Sequence, residues 1–216
     1  MELLVDTANK GHIDKLKNIP FLDGITTNPS IISKENAEFK TIIQSISSEI
    51  EGMVWCQVVA TEMDEMIKEG LEMSSWGENM VIKLPMTKNG IIAAAHLKEH
   101  GVRVNMTLIY TPAQVVLAAK AGVDYISPYI GRMLDQGIPA YEFITTAQSI
   151  IAGMGSPTKI IGASIRSPQM VVDLIAHGID AITMSYPVFE SMFISNETEK
   201  GNQMFMEDWE AYLRKS

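Results

Sequence analysis

The sequence is poor in cysteine and in aromatic residues. Cys56 is the only cysteine, so the chain forms no internal disulfide, and its place in an apolar run is typical of a protein from a reducing compartment. Aromatic residues make up 7% of the 216 residues, whereas hydrophobic residues make up 46%. This composition excludes a disulfide-stapled secreted domain and a disordered chain, and it is ordinary for a globular domain.

Basic residues are scarce relative to acidic ones. The chain has 17 Lys and Arg against 26 Asp and Glu, which gives a formal net charge of -9, and its isoelectric point is near 4.9. This charge balance excludes a general binder of nucleic acid or of anionic membranes. We therefore expect neither nucleic acid nor a membrane as a partner.

Two kinds of hydrophobic segment are missing from the chain. No apolar run reaches the roughly 18 residues that indicate a membrane-spanning helix. The N-terminal segment MELLVDTANKGH lacks the basic start and the apolar stretch of a secretory signal. We therefore expect a cytoplasmic location.

The chain does contain a repeated alternation of short apolar runs with segments of helical periodicity. The runs predict eight strands, at 2–6, 24–27, 53–58, 79–84, 102–107, 123–127, 158–163 and 179–183. Helices are predicted between and after them at 36–50, 62–75, 88–99, 112–120, 139–152, 167–176 and 186–194. Strict alternation of strand and helix implies a parallel sheet.

Eight such units without a break in composition favour a closed (β/α)8 TIM barrel that forms a single domain over residues 1–216. An open doubly wound sheet is the alternative. The glycine pattern that such a sheet often carries after its first strand is absent, because Asp6 is followed by TANKGH. Residues 200–215 lie beyond the eighth unit, and their apolar stripe predicts an extra C-terminal helix that packs on the barrel or on a neighbouring subunit.

Polar residues interrupt the predicted strands at their C-terminal ends, where barrel enzymes build their active sites. Alternate residues of a strand face the same way, and polar residues at the end of one strand agree in parity. If each strand turns this face inward, seven strands deliver polar groups to one pocket. The residues are Asp6, Thr26, Asn28, Gln57, Lys83, Asn105, Thr107, Ser127, Tyr129, Ser164 and Arg166. For the eighth strand, which offers at most Thr183 or Ser185, we predict no role.

Lys83 is the most informative of these residues, because it places one amine inside the apolar run MVIKLP. Burial disfavours the ammonium form and lowers the pKa of a lysine, which yields the free amine that a nucleophile needs. The alternative is a strand-end lysine whose head reaches solvent. Because Asp6, Asn28 and Thr107 are predicted at the same end of the barrel, we favour a nucleophilic lysine that forms a Schiff base.

Eight segments along the chain resemble the small transaldolase family, which includes the fructose-6-phosphate aldolases. They are LLVDTAN, GITTNPSII, QVVAT, VIKLPMT, VNMTLIY, YISPYIGR, GASIRSP and the C-terminal MEDW. The resemblance runs in order over essentially the whole chain, and GITTNPSII and the lysine strand are its most specific parts. It implies a barrel of the class I aldolase type that uses neither a metal ion nor an organic cofactor and that acts on a sugar phosphate.

The resemblance also implies roles for single residues. Lys83 would form the Schiff base with the C2 ketone of a ketose phosphate, and Asp6 would handle the proton of the C4 hydroxyl. Asn28, Asn105 and Ser127 would hydrogen-bond the dihydroxyacetone part and the lysine, and the residues implied to bind the phosphate are Arg132, Ser164 and Arg166. Thr26 is also predicted to bind the substrate.

Two activities occur in this family, and they differ in the fate of the enamine left after cleavage. A transaldolase passes it to an aldose phosphate, whereas a fructose-6-phosphate aldolase protonates it and releases dihydroxyacetone. Family transaldolases typically have Glu and Phe where this chain has Gln57 and Tyr129, which together with Thr107 would hold a water for protonation. Asn105 and Ser127 instead resemble the transaldolases. We predict the aldolase, with the transaldolase as the alternative and a non-catalytic sugar-phosphate-binding barrel as a third hypothesis.

The segment HLKEH matches a pattern found in some zinc peptidases. His96 and His100 face the same way on a predicted helix of the outer ring, far from the strand ends, and no further ligand signal accompanies them. We predict surface histidines and no metal site.

The family resemblance also implies a homo-oligomer, either a pentamer or a pair of pentamers, in which the C-terminal helix reaches a neighbouring subunit.

Overall fold

The structure is a computed structural model that describes residues 1–215; Ser216, the last residue of the expected domain, lies outside the described residues. Eight parallel strands in chain order close into a barrel. They are β1 (Glu2–Asp6), β2 (Gly24–Thr26), β3 (Met53–Gln57), β4 (Met80–Pro85), β5 (Val104–Ile109), β6 (Tyr125–Pro128), β7 (Lys159–Ile165) and β8 (Ala181–Ser185). Because β8 pairs with β1, the sheet has no open edge. The predicted (β/α)8 TIM barrel is thereby confirmed.

Helices connect the strands, and two more follow the last strand. They are α1 (Lys10–Leu16), α2 (Pro29–Ile32), α3 (Phe39–Glu49), α4 (Met63–Ser74), α5 (Lys88–Glu99), α6 (Pro112–Lys120), α7 (Ile130–Asp135), α8 (Ala140–Gly153), α9 (Pro168–Ala176), α10 (Tyr186–Ser191) and α11 (Asn196–Leu213). The local sequence explains where two of these helices begin. The Thr111 side chain caps the N-terminus of α6 in a capping box with Gln114, and the Ser167 side chain caps the N-terminus of α9.

The eight predicted strands all occur, with ends shifted by at most two residues. Three helices were not predicted, namely α1, α2 and α7. They have seven, four and six residues, which is too short for a helical period to be read from sequence. All three follow strands that carry predicted site residues at or next to their ends, so they shape the loops around the candidate site.

The interior of the barrel has an apolar lower layer and a polar upper layer at the carboxyl ends of the strands. The lower layer forms its own cluster, which consists of Leu4, Trp55, Val81, Tyr125, Ile161 and Ala181. Burying a large apolar side chain of this kind stabilises the fold by about 1.5–3 kcal/mol. Most polar residues follow a lower-layer residue by two positions and so share its face: Asp6, Gln57, Lys83, Ser127 and Thr183.

Strand register brings the polar residues of neighbouring strands to similar heights. Asp6 lies opposite Thr26, and Lys83 lies between Gln57 and Asn105. Thr107 lies opposite Ser127. This confirms that the polar parity of these strands reflects one inward face.

The C-terminal helix α11 starts at Asn196, a few residues before the predicted 200–215, because the Ser195 side chain caps it by accepting from the backbone of Thr198. None of the residues Asn196–Leu213 is buried. The exposed apolar side chains are Met204, Phe205, Met206, Trp209, Tyr212 and Leu213. The helix therefore does not bury its stripe against its own barrel, and its packing on a neighbouring subunit stays a prediction.

Over residues 1–215, no helix is both long enough and apolar enough to span a membrane.

Candidate active site

A cavity of about 400 Å³ opens at the carboxyl ends of the strands. Every predicted site residue except Arg166 lines it, and so do Leu108, Ala163 and Thr183. The cavity therefore collects polar side chains from all eight βα units, above the apolar lower layer of the barrel.

Lys83 lies on β4 and is only 5% exposed. Its Nζ donates a hydrogen bond to the backbone carbonyl of Thr27 at 2.8 Å. Burial lowers the pKa of Lys83, and the nearby charge of Asp6 opposes this shift. The amine is therefore biased toward its neutral, nucleophilic form, as the sequence predicted.

Cys56 is a second buried nucleophile near this amine. Burial raises the pKa of its thiol to about 12, so the thiol is protonated at neutral pH. Its side chain packs in the cluster between strands and helices and does not line the cavity. Lys83 is thus the better candidate for nucleophilic chemistry.

Asp6 ends β1 and faces the lysine across the cavity. Burial raises its pKa above the usual value, whereas the charge of Lys83 and the hydrogen bond from Thr26 act in the opposite direction. Thr26 Oγ1 donates to Oδ1 of Asp6 at 2.8 Å, and Nδ2 of Asn28 donates to Oδ2 at 3.4 Å. These donors fix the orientation of the carboxylate.

The dipeptide Asn28-Pro29 explains how Asn28 is oriented. Its side-chain oxygen caps α2 by accepting from the backbone N–H of Ile31 at 3.1 Å, with Pro29 in the first turn. Because this bond occupies the oxygen, the amide nitrogen is left to point at Asp6. One residue thereby joins the start of a helix to the carboxylate.

Asn105 and Ser127 form a pair on the neighbouring strands β5 and β6. The Asn105 Nδ2 and the Ser127 Oγ lie 2.9 Å apart, and the Ser127 Oγ and the Asn105 Oδ1 lie 3.1 Å apart. Both residues are buried and line the cavity. They can present an amide and a hydroxyl to a polar substrate beside Lys83.

Thr107 is fully buried, and its Oγ1 has no hydrogen-bond partner among the described residues. A buried hydroxyl without a partner is costly unless water or a ligand binds it. Its position in the cavity wall, with Gln57 and Tyr129, supports the predicted water-holding group.

Two residues in the cavity wall have positive φ although neither is glycine: Leu108 at 63° and Ser164 at 62°. Each lies where the register of its strand shifts, at a β-bulge. Such backbone strain costs about 1–3 kcal/mol per residue and is concentrated at functional sites.

The bulge corrects the parity predicted for β7. Ile161 and Ala163, not Ser164 and Arg166, occupy the inward positions of the regular strand. Ser164 reaches the cavity because the bulge turns it there. The start of α7 packs tightly on this bulge, since a Cβ at Gly131 would lie 2.1 Å from the backbone oxygen of Ser164.

Arg132 follows Gly131 and lines the cavity, with its guanidinium 4.7 Å from the centre of the Tyr129 ring. Arg166, in contrast, does not line the cavity. Its guanidinium makes a two-pronged ion pair with Asp135, with Nη1 2.6 Å from Oδ1, and both side chains are half exposed. Of the predicted phosphate ligands, the structure brings Arg132 and Ser164 together, and Arg166 lies beside them.

Thr183 is the residue that sequence reasoning missed. It is 7% exposed, lines the cavity and lies 2.6 Å from the hydroxyl of Thr26. The sequence did contain a signal, because Thr183 is a polar residue near the end of the apolar run AITMS. Polar residues at strand ends served to predict site residues on the other seven strands.

The histidines of the segment HLKEH lie on the outer helix α5 or at its end, away from the cavity. His96 pairs with Glu99, and the ring of His100 contacts the carbonyl of His96. Within residues 1–215, no three His, Cys, Asp or Glu side chains are placed to hold a metal ion together.

The model of the family described as transaldolase/fructose-6-phosphate aldolase matches residues 3–216. The chain belongs to this family. It is 41% identical over 212 residues to a probable transaldolase of Petrotoga mobilis, with 98% of this chain and 96% of the relative covered. It is 42% identical over 208 residues to a probable transaldolase of Leptospira biflexa, with 96% and 97% covered. The resemblance stated from the motifs is therefore confirmed.

A probable transaldolase 1 of Listeria monocytogenes is 40% identical over 211 residues, with 98% of this chain and 99% of the relative covered. These names favour the transaldolase alternative over the aldolase that the sequence predicted first. Among solved structures, a putative fructose-1,6-biphosphate aldolase of Coccidioides immitis has a TM-score of 0.59 at 13% identity, and the match covers 85% of this chain and 73% of that chain. This structural likeness concerns the fold.

Proposed function

We propose that this protein is a transaldolase, which transfers a dihydroxyacetone unit from a ketose phosphate to an aldose phosphate through a Schiff base on Lys83. The observation that carries the proposal is the buried amine of Lys83, whose pKa is lowered, in a cavity with Asp6. The names of the relatives support transfer as the activity.

The reaction begins with the attack of the neutral Lys83 amine on the C2 carbonyl, and loss of water gives an iminium ion. The Asp6 carboxylate takes the proton of the C4 hydroxyl, and the C3–C4 bond breaks. The electron pair of the C3–C4 bond moves toward the iminium nitrogen, so an enamine is left on Lys83 and glyceraldehyde 3-phosphate departs.

The second half of the reaction reverses these steps with another aldehyde. The enamine carbon attacks the acceptor carbonyl, and Asp6 returns its proton to the new hydroxyl. Water then hydrolyses the iminium ion, which releases the longer ketose and the free amine. Asn28, Asn105 and Ser127 hold the hydroxyl groups of the dihydroxyacetone unit throughout.

Product analysis tests the proposal. With fructose 6-phosphate alone, we expect slow release of dihydroxyacetone; with erythrose 4-phosphate added, we expect rapid formation of sedoheptulose 7-phosphate. Rapid dihydroxyacetone release that does not depend on the acceptor would instead establish the aldolase. No product under either condition would contradict both enzymes and favour a barrel that only binds sugar phosphates.

The aldolase is kept as a second candidate because of one group of residues. Tyr129, Gln57 and Thr107 all line the cavity that contains Lys83, and the Thr107 hydroxyl has no partner among the described residues. In this second proposal the three side chains hold a water for the enamine. A proton from this water, delivered to the enamine carbon, would lead to release of dihydroxyacetone after hydrolysis.

Replacing Tyr129 by phenylalanine tests that group. Because the variant loses the phenolic proton donor, we expect the ratio of transfer to release to rise by at least about 10-fold. This effect is expected to be smaller than the 10²–10⁴-fold typical of a group that acts directly as the general acid or base. Both products are measured in one assay with fructose 6-phosphate and erythrose 4-phosphate. Tyr110→Phe is the matched control, since Tyr110 contacts Tyr129 at 6.2 Å between ring centres but does not line the cavity. An unchanged ratio in Tyr129→Phe would refute the role of the phenol.

The phosphate site predicts unequal effects of two arginine substitutions. Arg132→Ala is expected to raise the KM for fructose 6-phosphate about 10- to 100-fold, as expected for loss of charge-assisted hydrogen bonds. Arg166→Ala is expected to raise it less, because Asp135 already engages that guanidinium. Activity on unphosphorylated fructose is the control and is expected to be unchanged in both variants. Equal increases for both sugars would place the phosphate elsewhere.

A further inference from the structure

Thr183 belongs to a chain of hydroxyl groups that ends on the carboxylate of Asp6. The Oγ1 atoms of Thr183 and Thr26 lie 2.6 Å apart, and Thr26 Oγ1 donates to Asp6 Oδ1 at 2.8 Å. Thr26 and Thr183 are 2% and 7% exposed. The chain crosses three neighbouring strands, because β1 pairs with β2 on one side and with β8 on the other.

A count of protons fixes the direction of these hydrogen bonds. A hydroxyl group carries one proton, and that of Thr26 is used toward Asp6 while the carboxylate is ionised. Thr26 then has no proton for Thr183, so Thr183 must donate to Thr26. A donor at this position polarises the Thr26 hydroxyl and strengthens its bond to the carboxylate.

We propose that Thr183 is a positioning residue for Asp6, which keeps Thr26 oriented as a donor and thereby holds the carboxylate ionised and aimed at the substrate hydroxyl. This inference rests on the proposed function, in which Asp6 takes and returns the C4 hydroxyl proton. Thr183 acts only through Thr26.

Several charged or titratable groups surround Asp6. Lys83 faces it from β4, and its charge favours the ionised carboxylate. Asp6 also lines a second recess, together with His12, Lys34, Glu35 and Tyr186. All of these groups are unchanged in a variant that alters only the hydroxyl of Thr183.

The substitution Thr183→Val removes this hydroxyl and preserves the shape of the side chain. We expect kcat to fall about 3- to 10-fold, the range for loss of one neutral hydrogen bond, with little change in KM. We also expect the acidic limb of the kcat profile to move to higher pH. The activity needs ionised Asp6, and weakening the hydrogen bond to the charged form raises its pKa.

The kcat profile is the right measurement because it reports the enzyme–substrate complex. The same limb is also measured in single-turnover cleavage of the preformed Schiff base, in which Lys83 is already an iminium ion, so the titration of its free amine does not enter. Thr183→Ser keeps a hydroxyl and is expected to restore both the rate and the position of the limb.

Thr158→Val is the matched control. Thr158 immediately precedes β7, is 4% exposed, and donates to the carbonyl of Val123 at 2.7 Å, and it does not line the cavity. This variant loses a buried hydroxyl of the same kind, and we expect its pH profile to match that of the unaltered protein. If Thr183→Val leaves the limb in place, or if Thr158→Val moves it equally, the inference is wrong.

Failure of the proposed function gives a different result, namely no transfer by the unaltered protein. In that case the carboxyl titration of Asp6 is followed by ¹³C NMR, with Asp6→Asn used to assign the signal. A higher titration midpoint in Thr183→Val still supports the hydroxyl chain, and an unchanged midpoint contradicts it.

Discussion

Replacing Lys83 by methionine is expected to reduce kcat on the order of 10⁵-fold, in the range found when a covalent nucleophile is removed from an enzyme. Methionine has similar length and apolar character, so the barrel is expected to fold. The physical reason for the loss is that, among the described residues that line the cavity, no other group can form an iminium ion with the C2 carbonyl. Turnover of fructose 6-phosphate with erythrose 4-phosphate is the measurement.

Two controls accompany the Lys83 variant. Circular dichroism and thermal melting show whether the barrel is intact, and Lys120→Met alters an exposed lysine on α6. We expect the control to retain full activity. A Lys83→Met protein that is folded and keeps kcat within about 10-fold of the unaltered protein would contradict a covalent role for this residue, since removal of a covalent nucleophile lowers kcat by a much larger factor.

Replacing Asp6 by asparagine is expected to separate formation of the Schiff base from cleavage of the carbon–carbon bond. Cleavage is expected to slow about 10²–10⁴-fold, the usual contribution of a general base. Iminium formation is expected to persist, because Lys83 is retained. The variant should therefore accumulate the substrate Schiff base, detected by its reduction with borohydride, without releasing glyceraldehyde 3-phosphate.

The same variant makes a pH prediction. The charge of Asp6 raises the pKa of Lys83, so its removal lowers that pKa further. The rate of Schiff-base formation rises with pH as the ammonium loses its proton, and this rise is expected at lower pH in Asp6→Asn. Asp14→Asn, a change in an exposed carboxylate of α1, is the control. A shift to higher pH, or release of aldehyde at the normal rate, would contradict the role of Asp6.

The barrel and most of the site were readable from sequence because both follow from strand periodicity. Strands buried on both faces read as apolar runs, so a polar residue at a strand end stands out. Lys83 is the clearest example: an amine within MVIKLP has few structural explanations. The inward face followed from parity on the regular strands, and register confirmed it.

What was not readable depends on irregular backbone. The bulge at Ser164 breaks the alternation on which parity depends, so the inward face of β7 was assigned wrongly. Arg166 follows β7 and makes an ion pair with Asp135, which is the last residue of the short helix α7. This contact between distant parts of the chain is not visible in the sequence. Thr183 was passed over because its contact with Thr26 appears only when β8 closes on β1.

The choice between transfer and release was also beyond the sequence pattern. Gln57 and Tyr129 favoured the aldolase, whereas the names of the full-length relatives favour the transaldolase. In the proposed mechanism the two activities share Lys83 and Asp6 and differ only in what reaches the enamine. The proposal assigns this choice to the side chains that would hold one water near the enamine, and such a difference is finer than residue type at a position can resolve.

Trapping the covalent intermediate tests the central claim most directly. The protein is incubated with fructose 6-phosphate and sodium borohydride, whose hydride adds to the iminium carbon and leaves a stable secondary amine, and the modified peptide is then mapped by mass spectrometry. We predict one adduct, on Lys83, which is absent in Lys83→Met. An adduct on another lysine, or no adduct in a protein that turns over the substrate, would contradict the Schiff base on Lys83.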